Sequence, residues 1–183
     1  MRIIAGSYKG YTLKVSNSLK TRPTSDRARE TIFNILNNYI SEYADLEVLD
    51  IFAGSGALGL EALSRGASAA TFIEIDREAI SKIYDNIGHL KVDDISKVLR
   101  LDGTRLPSAY KKFSLIFMDA PYNKGLTEKT LKELFEKEWI AKNALIIIET
   151  SVNESFSLPP YLTLLNERHI GLASIFFSKF LPL

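Results

Sequence analysis

Apolar positions along the chain follow two periods, and the boundaries between them outline the elements. Residues 2–5 and 11–15 are short β-rich runs separated by Gly6-Ser7-Tyr8-Lys9-Gly10, which predicts a hairpin with Arg2, Lys9 and Lys14 pointing outward. Residues 16–22 are polar and predict a loop. Pro23-Thr24-Ser25-Asp26 then supplies capping hydroxyls and a first-turn acid, the signature of a helix start. Ala28, Ile32, Ile35, Leu36, Tyr39, Ile40 and Tyr43 recur at helical spacing, so one face of that helix packs inward. From Leu46 the rhythm alternates. Strands are predicted at 46–52, 70–75, 96–101, 113–118 and 143–149. Helices are predicted at 57–65, capped by Gly66, at 77–87, ended by Gly88, and at 127–137. Leu145-Ile146-Ile147-Ile148 is the unbroken run of a strand buried on both faces. Residues 161–168 and 174–180 read as two strands with no helix between them, hence an antiparallel pair at one edge. The expected architecture is α/β: a mostly parallel sheet, an antiparallel C-terminal edge pair, and an N-terminal hairpin plus helix.

The chain is organised around Val48 to Gly59, a buried strand running through a glycine turn into a helix. Gly54, Gly56 and Gly59 fit the G-x-G-x-x-G spacing that lets a ligand approach backbone at a helix N-terminus. Asp50, four residues earlier, would repel a pyrophosphate and attract a cation. A nucleoside-like molecule with positive charge, such as S-adenosylmethionine, is therefore expected on this loop, lined by Phe52, Ala53, Gly54, Ser55 and Gly56. In a parallel sheet, ligands bind at the carboxyl ends of the strands. Acids recur there: Asp50, Glu74 with Asp76, Asp102 and Asp119. Glu74 lies 20 residues after Gly54, where a carboxylate accepts from ribose hydroxyls. Asp102 would accept from an exocyclic adenine amine, with Gly103 letting the base lie close. Each acid taken singly also reads as a helix cap.

Asp119-Ala120-Pro121-Tyr122 follows the fourth of these strands. The exocyclic amine of a nucleobase is a poor nucleophile because its lone pair is delocalised. Asp119 and the carbonyl of Ala120, each accepting one N–H, would favour the pyramidal geometry needed for attack on a methyl group. Pro121 biases Ala120 away from the α region, and Tyr122 offers a face for an extruded base. A plain turn is the simpler reading of Asp and Pro here.

Composition narrows the chemistry. At 183 residues, 46% hydrophobic and 25% charged, one domain of ordinary soluble type is expected. No apolar run approaches a membrane span and no signal peptide is recognisable, so no membrane partner and a cytoplasmic location are expected. The lack of cysteine excludes disulfides, thiolate metal sites and methyl transfer through a cysteine adduct. The two histidines, His89 and His169, have no partner at metal-ligand spacing, so no metal is expected. Residues 1–30 carry seven basic side chains against two acidic ones. That net +5 leaves −4 for the rest of a chain whose total is +1. Such a basic end suits contact with a polyanion, and a solvated charged face is the plainer alternative. Arg2, Lys9, Arg22, Arg27 and Arg29, with Thr24 among them in the chain, are the candidate polyanion contacts.

On these residues the chain resembles the bacterial 16S ribosomal RNA guanine-N2 methyltransferases of the RsmD type. The likeness is carried by Arg2-Ile3-Ile4-Ala5-Gly6 with Lys9-Gly10, by the run from Arg22-Pro23-Thr24-Ser25-Asp26-Arg27 to Asn34, and by Leu49 to Ala67. The Arg-Pro-Thr-Ser-Asp-Arg run is the more specific part. The resemblance implies a class I methyltransferase fold over residues 1–183, with 1–45 an RNA-contacting extension and 46–183 the catalytic core. It implies S-adenosylmethionine as donor and one guanine of 16S ribosomal RNA as acceptor, in a partly assembled small subunit. A monomer is expected. The family usually reads Asp-Pro-Pro-Tyr where this chain has Asp119-Ala120-Pro121-Tyr122, so one ring constraint is missing, worth about 0.4–1 kcal/mol in loop ordering. Three other readings remain on the sequence: an adenine-N6 methyltransferase of DNA or RNA, a small dinucleotide oxidoreductase, and a ribosome-assembly factor that binds RNA without turnover. Asp50 argues against the second.

Overall fold

The computed structural model describes residues 1–16, 26–122 and 124–181. Its elements are α1 (Asp26–Leu36), β1 (Glu47–Ile51), α2 (Ala57–Ser64), β2 (Ala69–Glu74), α3 (Arg77–Leu90), β3 (Ser96–Arg100), β4 (Phe113–Asp119), α4 (Leu126–Glu136), β5 (Ile140–Ser151), β6 (Leu162–Ile170) and β7 (Ala173–Phe180). The strands form one seven-stranded sheet in the order β3-β2-β1-β4-β5-β7-β6. The pairs from β3 to β5 are parallel, and β7 runs antiparallel to both β5 and β6. The expected architecture is therefore observed, and the chain order reverses between β1 and β4.

Alternation along the central strands divides the core in two. Val48, Phe72, Leu115, Phe117 and Ile147 pack with α1, α2, α3 and the N-terminal hairpin. Leu49, Ile51, Ile116, Met118, Ile146 and Ile148 face α4 and the Leu106–Trp139 region. Each fully buried aliphatic or aromatic side chain contributes about 1.5–3 kcal/mol. Central strands flanked on both faces thus account for the continuous apolar runs of β4 and β5.

Four boundaries differ from expectation. The helix expected through Tyr43 ends at Leu36, and Asn37-Asn38 form a turn whose amides bond to Phe33 O and Ile35 O. Asparagine competes with helical backbone, yet Ile40 is still buried in the same core, so the apolar period outlasts the helix. Gly88 lies inside α3, which ends instead at Lys91, left-handed at φ 56; this lets Val92 bond back to Ile87 O and bury. β5 begins three residues early, with Asn143 at φ 62 and a register shift against β4. The hairpin keeps its turn but forms a single bridge, Arg2 to Thr12. Gly66 does close α2 as expected: its amide bonds to Leu63 O and that of Ala67 to Ala62 O, the paired bonds of a Schellman end.

What fixes the short hairpin is α2. Glu61 is fully buried, and its carboxylate accepts the Ile4 N–H at 2.7 Å, the Ala5 N–H at 3.0 Å and the Arg65 Nε–H at 2.9 Å. Ser64 accepts the Tyr8 N–H and donates to Ala5 O. Gly6 lies so close that a Cβ there would sit 1.8 Å from Ser64 O. Glu61→Ala would leave two backbone donors and the half-buried Arg65 without their acceptor. Removing one partner of such a buried pair costs about 3–5 kcal/mol, and the urea midpoint of the variant should fall accordingly. A loss within about 0.5 kcal/mol, the range for surface substitutions, would show that the hairpin does not depend on this carboxylate.

Candidate active site

β1 ends at Ile51, and Phe52 turns the chain at φ 62, a left-handed conformation that costs an aromatic residue about 1–3 kcal/mol. Its ring is seated against Gly103, where a Cβ would come within 2.9 Å of the ring. The turn from Ala53 to Gly56 is then held by carboxylates. Glu74, at the end of β2, accepts the Gly54 N–H at 2.9 Å through one oxygen and the Ile75 and Asp76 amides through the other. Asp50 accepts the Gly59 N–H at 2.9 Å. Gly59 allows this approach, because a Cβ there would meet the Phe72 ring at 2.5 Å and Asp50 Cβ at 3.3 Å. Asn86 on α3 donates to Ser55 O and Lys14 O and accepts from Lys14 N, tying the hairpin's second arm to the turn.

A cavity of about 670 Å³ opens at the carboxyl ends of β1, β2 and β4, the crevice where a parallel sheet binds ligands. Of the residues expected to hold a cofactor, Asp50, Phe52, Ala53, Gly54, Ser55, Glu74 and Asp102 line it; of those expected to act on the substrate, Asp119, Ala120, Pro121 and Tyr122 do. Gly56 and Gly103 are not among the lining residues: a Cβ on Gly56 would meet the Phe72 ring, and one on Gly103 would meet Ile51 and Phe52.

Asp50 is buried, and this pushes its carboxyl up to about 7; the Gly59 bond opposes the rise and the charge of Glu74 adds to it. Asp50 thus anchors the start of α2 through the Gly59 amide while also lining the cavity. Asp102 behaves oppositely. The Thr104 amide and hydroxyl bond to it at 2.9 and 2.7 Å and hold its carboxyl below the usual range. Asp76 is the N-cap of α3, accepting from Ala79 N at 2.8 Å.

Among the basic candidates, Arg2, Lys9 and Arg27 are exposed. Arg29 is fully buried and donates to Arg2 O and Asp26, so it is a structural residue and not part of an outer basic face. Arg22 and Thr24 lie outside the described residues.

Sequence reasoning missed several parts of the wall. Met1, Val15, Leu58 and Ile75 form its apolar surface, and Ser55 Oγ donates to Met1 Sδ at 3.3 Å. Glu149 on β5 also lines the cavity and accepts the Tyr122 hydroxyl at 2.6 Å. Leu58 and Ile75 adjoin the glycine turn and Glu74, and Glu149 ends the strand expected at 143–149, so position alone could have found them; Met1 and Val15 reach the wall only through the hairpin's course.

The donor set fits S-adenosylmethionine. Glu74 and Asp102 supply acceptors for hydroxyl and amine hydrogens, the apolar wall suits a purine face, and the backbone of Ala53 and Gly54 is open to close approach. Together with the sheet order, these features define a class I S-adenosylmethionine-dependent methyltransferase. Comparison with known proteins narrows the class. The family profile described as Conserved hypothetical protein 95 matches residues 1–179. The ribosomal RNA small subunit methyltransferase D of Haemophilus influenzae is 39% identical, covering 95% of this chain and 91% of its own. The enzyme of the same name from Escherichia coli is 41% identical over 87% and 79%. The solved structure of Escherichia coli yhhF is 35% identical and superposes with a TM-score of 0.87 over 99% and 98% of the two chains. An RNA methyltransferase of Salinibacter ruber in complex with S-adenosyl-L-homocysteine, 13% identical with a TM-score of 0.66 over 88% and 95%, shares the fold. The chain belongs to the RsmD family of methyltransferases.

Asp50 gives this site a pH signature. The folded carboxyl, at about 7, holds its proton more tightly than the ordinary value of 3.8, so folding is favoured at low pH and that contribution is lost as pH rises from about 4 to about 7. Asp50→Asn keeps an acceptor for the Gly59 N–H and removes the titration. Urea midpoints between pH 4 and 8 should show wild type losing stability relative to the variant across that window, then running parallel above it. Parallel profiles throughout would place the Asp50 carboxyl near its ordinary value.

Proposed function

We propose that the chain methylates the exocyclic N2 amine of one guanine in 16S ribosomal RNA, within an assembling small subunit. The observation that carries this reading is that Asp119, Ala120, Pro121 and Tyr122 line the same cavity as the glycine turn and Glu74. The names of the relatives, ribosomal RNA small subunit methyltransferase D, support ribosomal RNA as the substrate.

In this reading Glu74 and Asp102 hold the ribose and adenine of S-adenosylmethionine, with Ala53 and Gly54 beside its amino-acid end. The cofactor supplies an electrophilic methyl group on a sulfonium. Asp119 and the Ala120 carbonyl each accept one N–H of the guanine amine, so its lone pair is turned out of conjugation and aimed. The Asp119 carboxylate already accepts the hydrogen that the amine must shed as its new bond forms. Tyr122 stacks on the extruded base. The gain comes from orientation and from fixed charge rather than from a covalent intermediate. Residues 46–183 serve as the catalytic core in the cytoplasm, acting as a monomer. Residues 1–45 present RNA contacts through Arg2, Lys9, Arg22, Thr24 and Arg27. No helix among the described residues is long and apolar enough to cross a membrane.

Incubation with labelled S-adenosylmethionine and immature small subunits from cells lacking the endogenous activity should yield label as N2-methylguanosine. Label in adenine, or none despite cofactor binding, overturns the assignment. Asp119→Ala should lower transfer by about 100- to 1,000-fold, the usual loss for one electrostatic contact at the reacting centre, with cofactor affinity retained. Normal transfer would remove Asp119 from the amine-holding role.

The RNA face has a separate readout. Replacing Lys9 and Arg27 with Ala should weaken binding to the subunit and flatten its salt dependence, by about one unit of slope for each phosphate that is no longer neutralised. An unchanged slope would take both residues out of the interface.

A further inference from the structure

A carboxylate from β5 enters the cavity, and the reaction as described leaves it without a role. Glu149 is paired across the sheet with Asp119, is 7% exposed, and lines the cavity together with Asp119 and Tyr122. One of its oxygens accepts the Tyr122 hydroxyl at 2.6 Å. A carboxylate offers about four acceptor directions, so a hydroxyl on one oxygen does not keep further donors away. Burial of such a group is tolerated where donors surround it, so a substrate that fills this cavity meets it best with N–H groups.

Guanine does so with a pattern that adenine lacks. Its Watson–Crick edge carries the N2 amine and, next to it, an N1–H; in adenine the N1 position is a bare lone pair. Acceptors on neighbouring strands, which lie about 4.8 Å apart, can converge on two adjacent N–H groups of one base edge. We propose that Glu149 is the residue that selects guanine: it accepts N1–H while Asp119 holds the N2 amine, and it steadies the Tyr122 ring on which the base stacks. The inference rests on the proposed guanine-N2 reaction and deepens it by assigning base choice to one residue. Adenine would bring its N1 lone pair against a carboxylate, acceptor facing acceptor. Sites built to bond a substrate N–H reject analogues lacking it far more strongly than apolar pockets reject a missing methylene.

A purely structural Glu149 would act only by holding Tyr122, and the two roles separate with a base analogue. 2-Aminopurine keeps the N2 amine, but its N1 is an acceptor. Small subunits are reconstituted with either guanine or 2-aminopurine at the position that wild type methylates, and kcat/KM is measured for wild type, Glu149→Gln and Tyr122→Phe. Wild type should prefer guanine strongly. Glu149→Gln should lose about 10- to 100-fold on guanine, as expected for one lost hydrogen bond to a charged group, and should gain on 2-aminopurine, since its amide N–H can donate to N1. Tyr122→Phe retains the carboxylate and should keep the wild-type preference even if slower. The readout is a ratio measured on one protein, so partial misfolding cancels. An unchanged ratio in Glu149→Gln, or equal relaxation in Tyr122→Phe, overturns the assignment. If wild type methylates no guanine at all, the underlying reaction falls and this role falls with it; if it methylates guanine with unaltered selectivity in Glu149→Gln, only this role falls.

Discussion

The whole site hangs on backbone amides of one turn being held by acids from the strands beneath it. Glu74 grips the Gly54 amide and Asp50 grips that of Gly59, so β2 and β1 together set where the turn ends and where α2 begins. α2 then carries Glu61 and Ser64, which clamp the hairpin, and the hairpin returns Met1 and Val15 to the cavity. The chain of contacts is closed: turn, helix, hairpin, cavity wall. An amide–carboxylate bond inside a protein is worth most when its loss strands a buried partner. The buried Asp50 therefore cannot be traded for a neutral, non-bonding residue without loosening the start of α2.

Periodicity and strand ends made most of the fold legible, including the antiparallel edge pair and the end of the strands at which the cavity opens. They failed where tertiary contact overrules local pattern. Ile40 belongs to the same core as Leu36 without belonging to its helix, so a shared apolar period overstated α1. Gly88 looked like a helix end, but burial of Val92 was better served by carrying the helix to Leu90 and turning at Lys91. In the site, glycine spacing identified the turn yet could not separate a glycine that lines the cavity from glycines packed against aromatic rings. Gly54 lines the cavity, whereas Gly56 and Gly103 are small because Phe72 and Phe52 press on them. Glu149 ends the strand expected at 143–149 and so met the strand-end rule, yet it was passed over; the register of β5 against β4, which brings it to Asp119, is what no local motif records.

Charge counting along the sequence had a similar blind spot. The N-terminal segment looked like a uniformly basic surface, but Arg29 is consumed inside the fold by Arg2 O and Asp26. Arg2 pairs with the same Asp26 at 3.4 Å, and Lys14 pairs with Asp85 at 3.3 Å. These last two are exposed ion pairs, each worth about 0–1 kcal/mol, so a phosphate could replace either acid at little expense. The buried pair is fixed; the exposed ones are available. Among the described residues, the exposed cations of this segment are Arg2, Lys9, Lys14 and Arg27, and Arg29 is withdrawn from any outer face.

The same comparison of magnitudes bears on the Asp119-Ala120-Pro121-Tyr122 loop, where the resemblance noted on the sequence leads to an expected Asp-Pro-Pro-Tyr. Ala120 lacks the ring that would restrict the backbone, a loss of about 0.4–1 kcal/mol in ordering. The structure supplies order from the other end of the loop. Tyr122 is tethered to Glu149, and one such bond contributes about 0.5–1.5 kcal/mol net, enough to offset the missing ring. Ala120 itself is 1% exposed, so its methyl group is packed rather than loose. Order imposed through Tyr122 has a consequence that a second proline would not. It couples the loop proposed to hold the amine to the carboxylate proposed to read the base, so that in this reading a base satisfying Glu149 meets a loop already set for transfer.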